Sequence, residues 1–172
     1  SRLTPGIVHI GLGNFHRAHM AVYLDDLFAK GLGHDWAILG AGVRAPDARM
    51  RDALKAQDCL STVIELDPKG KTARRVGAMI DFLPVEADNA ALIAAMSRPE
   101  IRIVSLTVTE GGYFINASTG EFDPTLPEIV ADGANPDRPA TAFGAIVAAL
   151  KVRRAEGVQP FTVMSCDNLP GN

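Results

Sequence analysis

The sequence predicts an α/β fold, a doubly wound, mostly parallel sheet with an antiparallel hairpin addition. Three observations predict it. Short apolar runs recur along the chain, as buried parallel strands do. Stretches with apolar residues at helical spacing separate them. The first run feeds a Gly-x-Gly turn that opens directly into a helical pattern. The chain of 172 residues is 47% apolar and 22% charged, which suits a globular domain. A chain of this length buries roughly 70% of its unfolded surface without staples.

Residues 7–10, Ile-Val-His-Ile, are the first strand candidate. Behind Gly11-Leu12-Gly13, the side chains of Met20, Tyr23, Leu24, Leu27 and Phe28 fall on one helical stripe. Lys30 and Gly31 then supply a cationic last turn and a glycine stop. Residues 36–40 are the second strand, which ends near Val43. Together these make a βαβ unit, whose crossover is almost always right-handed. Residues 48–57 are polar and helix-friendly. Residues 60–66 and 73–79 flank the turn tetrapeptide Asp67-Pro68-Lys69-Gly70, so a hairpin added to the sheet is expected. An Ala-rich helix is expected over 89–96, with Asp88 as its N-cap. Residues 101–108 are almost wholly apolar, as a central parallel strand should be. Pro124, Pro127, Pro136 and Pro139 mark a long surface excursion over 114–139. Phe143, Ile146, Val147 and Leu150 stand at i, i+3, i+4 and i+7, an amphipathic helix, and residues 161–164 are the last strand.

Several function classes drop out. The net charge is -3, and no basic stripe of the kind nucleic-acid binders carry is visible. Cys59 and Cys166 lie far apart with no CxxC spacing, against a disulfide framework or a structural zinc site. The longest apolar runs, 90–96 and 144–150, fall far short of the ~20 residues a membrane helix needs. With no apolar signal-peptide core, a reduced, cytoplasmic compartment is expected. Gly70-Lys71-Thr72 imitates the end of a phosphate loop, but Glu65 stands where that loop needs glycine and the context is a hairpin. The sequon Asn116-Ala117-Ser118 means little without a secretory signal, and no GxSxG elbow occurs.

The residues that can carry chemistry follow the strands. Gly11 allows a tight turn, and Gly13 lets a pyrophosphate approach the backbone, where the helix behind offers unpaired N–H groups. The generic fingerprint asks for glycine or alanine at position 16, where this chain has His16. The bland alternative is a glycine-rich structural turn. Arg17 occupies a first helical turn, unfavourable for a cation, so an anion partner or a solvated surface role accounts for it. His16 and His19 have i, i+3 spacing, but no Cys, Asp or Glu completes a set before Asp25, and no metal is expected. Asp47 is the carboxylate nearest the end of the second strand. It can bond ribose hydroxyls and repel a 2'-phosphate, whereas Arg44 can accommodate one; the balance favours NAD. Thr107, Thr109 and Glu110 end one strand and Ser165-Cys166-Asp167-Asn168 another, on the edge where open α/β sheets bind ligands. Capping of the helices that follow is the alternative.

These residues stand in longer patterns, and through them the sequence resembles the long-chain mannitol dehydrogenase family of polyol dehydrogenases and hexuronate reductases. The likeness covers nearly the whole chain. It is anchored in Gly11-Leu12-Gly13-Asn14-Phe15-His16-Arg17-Ala18-His19, in Gln57-Asp58, in 103–113 (Ile-Val-Ser-Leu-Thr-Val-Thr-Glu-Gly-Gly-Tyr) and in 161–170 (Phe-Thr-Val-Met-Ser-Cys-Asp-Asn-Leu-Pro). Replacement of the third glycine by Phe15-His16-Arg17 is normal in that family. The resemblance implies that residues 1–172 are the NAD(P)-binding, Rossmann-type domain of a metal-independent, NAD-dependent oxidoreductase, with a helical C-terminal substrate domain outside the chain. It implies that NAD meets Gly11, Gly13, Asn14, Phe15, His16, Arg17, Asp47, Thr107, Thr109 and Glu110. It makes Asn168 catalytic, stabilising the oxyanion formed as hydride leaves the carbinol carbon. The base is implied to be a lysine in a Lys-x4-Asn-x2-His pattern, which none of Lys30, Lys55, Lys69, Lys71 or Lys151 begins. The chain is therefore expected to be a fragment, inactive alone. Its expected partner is a small-molecule polyol or keto-sugar, with no nucleic acid and no membrane. The likeness is greatest to members that interconvert D-mannitol and D-fructose. A hexuronate reductase of the same family and a non-catalytic nucleotide-sensing module are the alternatives.

Overall fold

A parallel sheet of five strands organises the chain, described for residues 2–169 by a computed structural model. At its centre β1 (Pro5–Ile10) lies between β2 (Ala37–Ala41) and a strand numbered β6 (Ile103–Leu106). Beyond β2 lies β5 (Met79–Phe82), and beyond β6 lies β7 (Thr162–Ser165). The chain thus winds outward from β1 in one direction and then in the other, with the switch between β1 and β6.

Alternate side chains of these strands face opposite sides. Val8, Ile10, Leu39, Ala41, Val104 and Leu106 pack into one core with α4 (Ala90–Ser97) and α6 (Ala142–Glu156). Ile7, Ile38 and Met79 face a second core with α2 (Met20–Ala29) and α3 (Asp47–Lys55). The paired register His9↔Ser105 puts two buried polar residues on this second side, inside strands that otherwise read as apolar. Arg153 on α6 is also buried. It donates to the carbonyls of Met96, Arg98, Ile101 and Gln159, fixing α6 to the end of α4 and the entry to β6.

Several elements differ from expectation, each for a physical reason. The first helix is broken. A short α1 (Asn14–Ala18) ends at His19, where φ is -122 and ψ is -95, and α2 starts afresh. Tyr23 leaves the expected stripe and is exposed, because the break re-aims α2. The hairpin strands β3 (Ser61–Asp67) and β4 (Gly70–Val76) form their own two-stranded sheet beside the parallel one. Arg74 holds it to α2 by 2.8 Å bonds to both Asp25 and Asp26. The expected second hairpin strand ended at 79, yet Met79 opens β5, a separate strand too short for periodicity to reveal. Asp88 is not the cap of α4. Asn89 holds that position with a left-handed φ of 53 and donates to Pro139 O at 2.9 Å, while Glu86 accepts from Ala91 N–H at 2.8 Å. The proline-rich excursion contains a helix, α5 (Pro127–Ala134), with proline in its first turn, where its missing N–H costs nothing. In α6 the inward face is Ala142, Ala145, Ile146 and Ala149, so close helix packing uses alanines, and Val147 points to solvent. Among the described residues, no helix is long and apolar enough to cross a membrane.

Candidate functional site

The two glycines after β1 play different parts. Gly11 has φ +93, and a Cβ there would lie 2.1 Å from the carbonyl oxygen of Thr107. Only glycine lets the two central strands end this close together. Gly13 is extended, and a Cβ there would meet nothing within 4 Å. The protein's own packing explains Gly11 and leaves the space over Gly13 open. Asn14 opens α1 and is exposed. Its Oδ1 accepts from Arg17 Nη2, and Arg17 Nε donates to Gly13 O at 3.3 Å, so the guanidinium is held over the turn. Because α1 has only five residues, the loop's donors are local N–H groups and not the end of a long helix dipole.

His16 turns inward. Its ring stacks on His9, with centroids 3.5 Å apart and planes 16° from parallel. Beneath them runs an ordered proton chain. Thr107 Oγ1 donates to Gly11 O at 2.6 Å, so it accepts from His9 Nε2 at 2.8 Å. His9 Nδ1 then accepts from Ser105 Oγ at 2.7 Å. Burial above all, then the neighbouring His16, holds His9 well below the usual histidine range. Burial, then Arg17 and His19, brings His16 down to about 4. Both rings are neutral at pH 7, a pair of flat polar plates under the glycine loop. His16 Nε2 is buried without a hydrogen-bond partner among the described residues.

Beside this stack opens a cavity of about 310 Å³, lined by Phe15, His16, Met20, Tyr23, Thr107 and Met164 among others. Phe15 is 47% exposed and stacks on His19 at 5.2 Å. His16 and His19 both line this cavity, but their rings stack on different partners, His16 on the buried His9 and His19 on the exposed Phe15. Among the described residues no group of three or more His, Cys, Asp or Glu is gathered to hold a metal ion.

Asp47 begins α3 directly over the end of β2. A Cβ at Gly42 would lie 2.3 Å from the Asp47 side chain. Asp47 accepts from Arg44 N–H at 3.0 Å and pairs with the Arg44 guanidinium at 3.4 Å. The two residues with opposite consequences for a 2'-phosphate are therefore in contact.

On the other side of β1, residues 107–114 leave β6 in a tight loop with a 3-10 turn at Glu110–Tyr113. Thr109 has φ +63 and Glu110 is exposed. Asp167, just after β7, accepts from the N–H groups of Val108 and Thr109 and from Tyr113 OH. Burial first, with the Asp167 bond and charge adding to it, pushes the Tyr113 phenol up to about 12, so it keeps its proton as a donor. Asn168 follows, exposed, near the end of the described chain. Pro170, the last residue of the quoted pattern, lies outside the described residues.

The sheet thus brings Gly11–Arg17, Asp47, Thr107–Glu110 and Asn168 to the carboxyl ends of β1, β2, β6 and β7. Sequence reasoning did not single out His9 or Ser105, and it placed Tyr113 and Asp167 on the ligand-binding edge only as members of longer stretches, without roles. The signal for the first two was present: a histidine and a serine inside apolar strands need partners once buried.

A glycine turn at the switch point of a parallel sheet, with a carboxylate after the neighbouring strand, defines a doubly wound domain of the nucleotide-binding class. The chain belongs to the mannitol dehydrogenase family, whose Rossmann-domain model matches residues 5–172. It is 80% identical to a mannitol 2-dehydrogenase of Cereibacter sphaeroides, over 99% of this chain and 35% of that protein. It is 48% identical to a polyol:NADP oxidoreductase of Gluconobacter oxydans, over 99% of this chain and 35% of that one. Among solved structures, a Pseudomonas fluorescens mannitol 2-dehydrogenase in ternary complex with NAD and D-mannitol superposes with a TM-score of 0.92 at 53% identity, over 98% of this chain and 34% of the other. A substrate-free D-sorbitol dehydrogenase gives 0.90 at 45% identity, over 97% of this chain and 35% of the other. The chain spans about a third of the length of the relatives it matches.

Proposed function

We propose that this chain is the cofactor-binding domain of an NAD-dependent polyol dehydrogenase that oxidises D-mannitol to D-fructose. The observation that carries the cofactor reading is the contrast between the glycines. Gly11 is required by contact with Thr107, whereas nothing in the protein occupies the space a side chain at Gly13 would fill. A pyrophosphate fits there, against the N–H groups that open α1 and within reach of the planar fork of Arg17. Support for the substrate comes from the 80% identity to a mannitol 2-dehydrogenase.

Bound NAD supplies the hydride acceptor. The chain's own residues bind and orient. Asp47 takes the adenosine ribose hydroxyls. Thr107, Thr109 and Glu110 line the nicotinamide edge, with the neutral plates of His9 and His16 behind them. Asn168 donates its amide N–H to the oxygen of the carbinol as negative charge develops there. The hydroxyl proton passes to a lysine in the remainder of the protein, as in the family scheme. No metal is required, because side-chain donors hold the oxygen.

A relative named for NADP shares 48% identity, so the family fold alone does not set cofactor choice, and the Asp47 carboxylate is the group here that repels a 2'-phosphate. The test is NADH titration of the full-length protein and its Gly13→Val variant. The added branch closes the open space, and affinity should fall about tenfold or more, equivalent to about 1.4 kcal/mol. Unchanged affinity in a folded variant places the pyrophosphate elsewhere.

A further inference from the structure

One side chain ties the end of β7 to the loop after β6. Asp167 Oδ2 accepts from Val108 N–H at 2.9 Å and from Tyr113 OH at 2.7 Å, and Oδ1 accepts from Thr109 N–H at 3.0 Å. Ser165 Oγ lies 2.5 Å from the same Tyr113 hydroxyl. This differs from an ordinary cap, which serves the first N–H groups of the helix beginning at its own position. Asp167 reaches across to a neighbouring strand's loop.

The loop it reaches is strained. Thr109 has φ 63 and ψ 177, a region almost confined to glycine and foreign to a β-branched residue. Phe114 closes the same loop with φ 54. Between them Gly112 lies so close to Val108 that a Cβ there would be 2.6 Å from that side chain. Such a backbone persists only where its surroundings over-determine it. Two bonds from one carboxylate to the N–H of Thr109 and of its neighbour supply that constraint, and charge makes them strong.

The position of the tie gives it a use. Thr107, one residue before Val108, donates to Gly11 O, so the strained loop is continuous with the glycine turn. Asn168 is the residue after Asp167. The same carboxylate therefore sets both walls of the crevice at the β6 and β7 ends.

We propose that Asp167 is a positioning residue: its carboxylate holds the 107–113 loop in a glycine-like conformation and so fixes Thr109 and Asn168 about the reacting carbinol. This rests on the function proposed above. The carboxylate moves no proton and touches no substrate; its role is to keep the oxyanion donor and the loop in one geometry, where small misplacements cost much rate.

Asp167→Asn in the full-length protein is the test. Asparagine has one acceptor oxygen and turns an NH₂ group toward a backbone donor. The variant should bind NADH within about threefold of the parent, since the glycine loop and Asp47 are untouched, while kcat for mannitol falls about tenfold or more. Amide exchange over 107–113 should accelerate about tenfold, with or without cofactor. Asp167→Glu, which keeps the charge and both acceptor oxygens, should retain about threefold or more of the kcat that Asp167→Asn loses and hold exchange over 107–113 nearer the parent's. Unchanged exchange in Asp167→Asn overturns the proposal whatever the activity does, and so does a loss of kcat as large in Asp167→Glu as in Asp167→Asn. If Asp167→Asn does not fold, Asp167→Ser carries the same readouts. If the parent binds no NADH, the functional reading fails instead, and exchange over 107–113 alone decides whether Asp167 clamps the loop.

Discussion

Acid should loosen this fold well before its carboxylates protonate, through the stacked histidines under the glycine loop. His16 is 2% exposed and its pKa falls from the ordinary 6.5 to about 4. In the unfolded chain the same ring protonates near 6.5. The unfolded state therefore binds the proton that the folded state refuses, and stability rises with pH between those two values. The stabilisation is complete above about 6.5 and drains away as pH falls toward 4. At about 1.4 kcal/mol per pH unit, the drop is worth about 3 kcal/mol from His16 alone, and the depressed His9 adds in the same direction. Urea denaturation of the protein at pH 7.0 and 4.5 should show a loss of that order, and His16→Phe, which keeps a flat ring on His9, should remove the His16 share and leave the share of the buried His9. The ring-proton resonance of His16 should stay unprotonated until near pH 4. A His16 that titrates near 6.5, or a pH dependence undiminished in His16→Phe, would overturn this account of acid sensitivity.

Further outcomes follow from the contacts. Gly11→Ala sets a Cβ 2.1 Å from the Thr107 carbonyl at a φ of +93, a backbone clash no rotamer relieves; it should cost about 3 kcal/mol by thermal or urea unfolding, and a loss below about 1 kcal/mol would contradict the close approach of the two strand ends. Asp47→Ala should narrow the preference for NADH over NADPH in paired titrations, by removing both a ribose bond and a repulsion; equal affinities in the unmodified protein would sink the role given to Asp47. Arg153→Met strands four main-chain carbonyls that the guanidinium now satisfies, so a loss of about 3–5 kcal/mol is expected, and a variant as stable as the parent would show that water replaces those bonds.

Much of the site is legible in the chain because it lies close in sequence to a recognisable turn. Residues 11–17 form one contiguous loop, and Asp47 follows the next strand within six residues of its end. The strands themselves announce their burial by composition. The hairpin is marked by its turn tetrapeptide, although its separation from the main sheet is not. What escapes is whatever depends on a partner far along the chain. His9 reads as a polar interruption until Ser105, 96 residues later, lies opposite it. Tyr23 and Val147 fit helical stripes, yet the break at His19 and the choice of alanines against the sheet turn them outward.

The order of amino acids is enough to settle the alternation of strands and helices, the glycine turn after β1 and the family pattern, because these rest on local backbone preference and on the spacing of apolar residues. It takes the packed molecule to show why the two glycines differ, where the histidine pair is buried, and that Asp167 binds a loop 58 residues before it. Those facts depend on which strands become neighbours, and strand order is settled by the burial of two opposite faces at once, a condition no single segment of the chain carries.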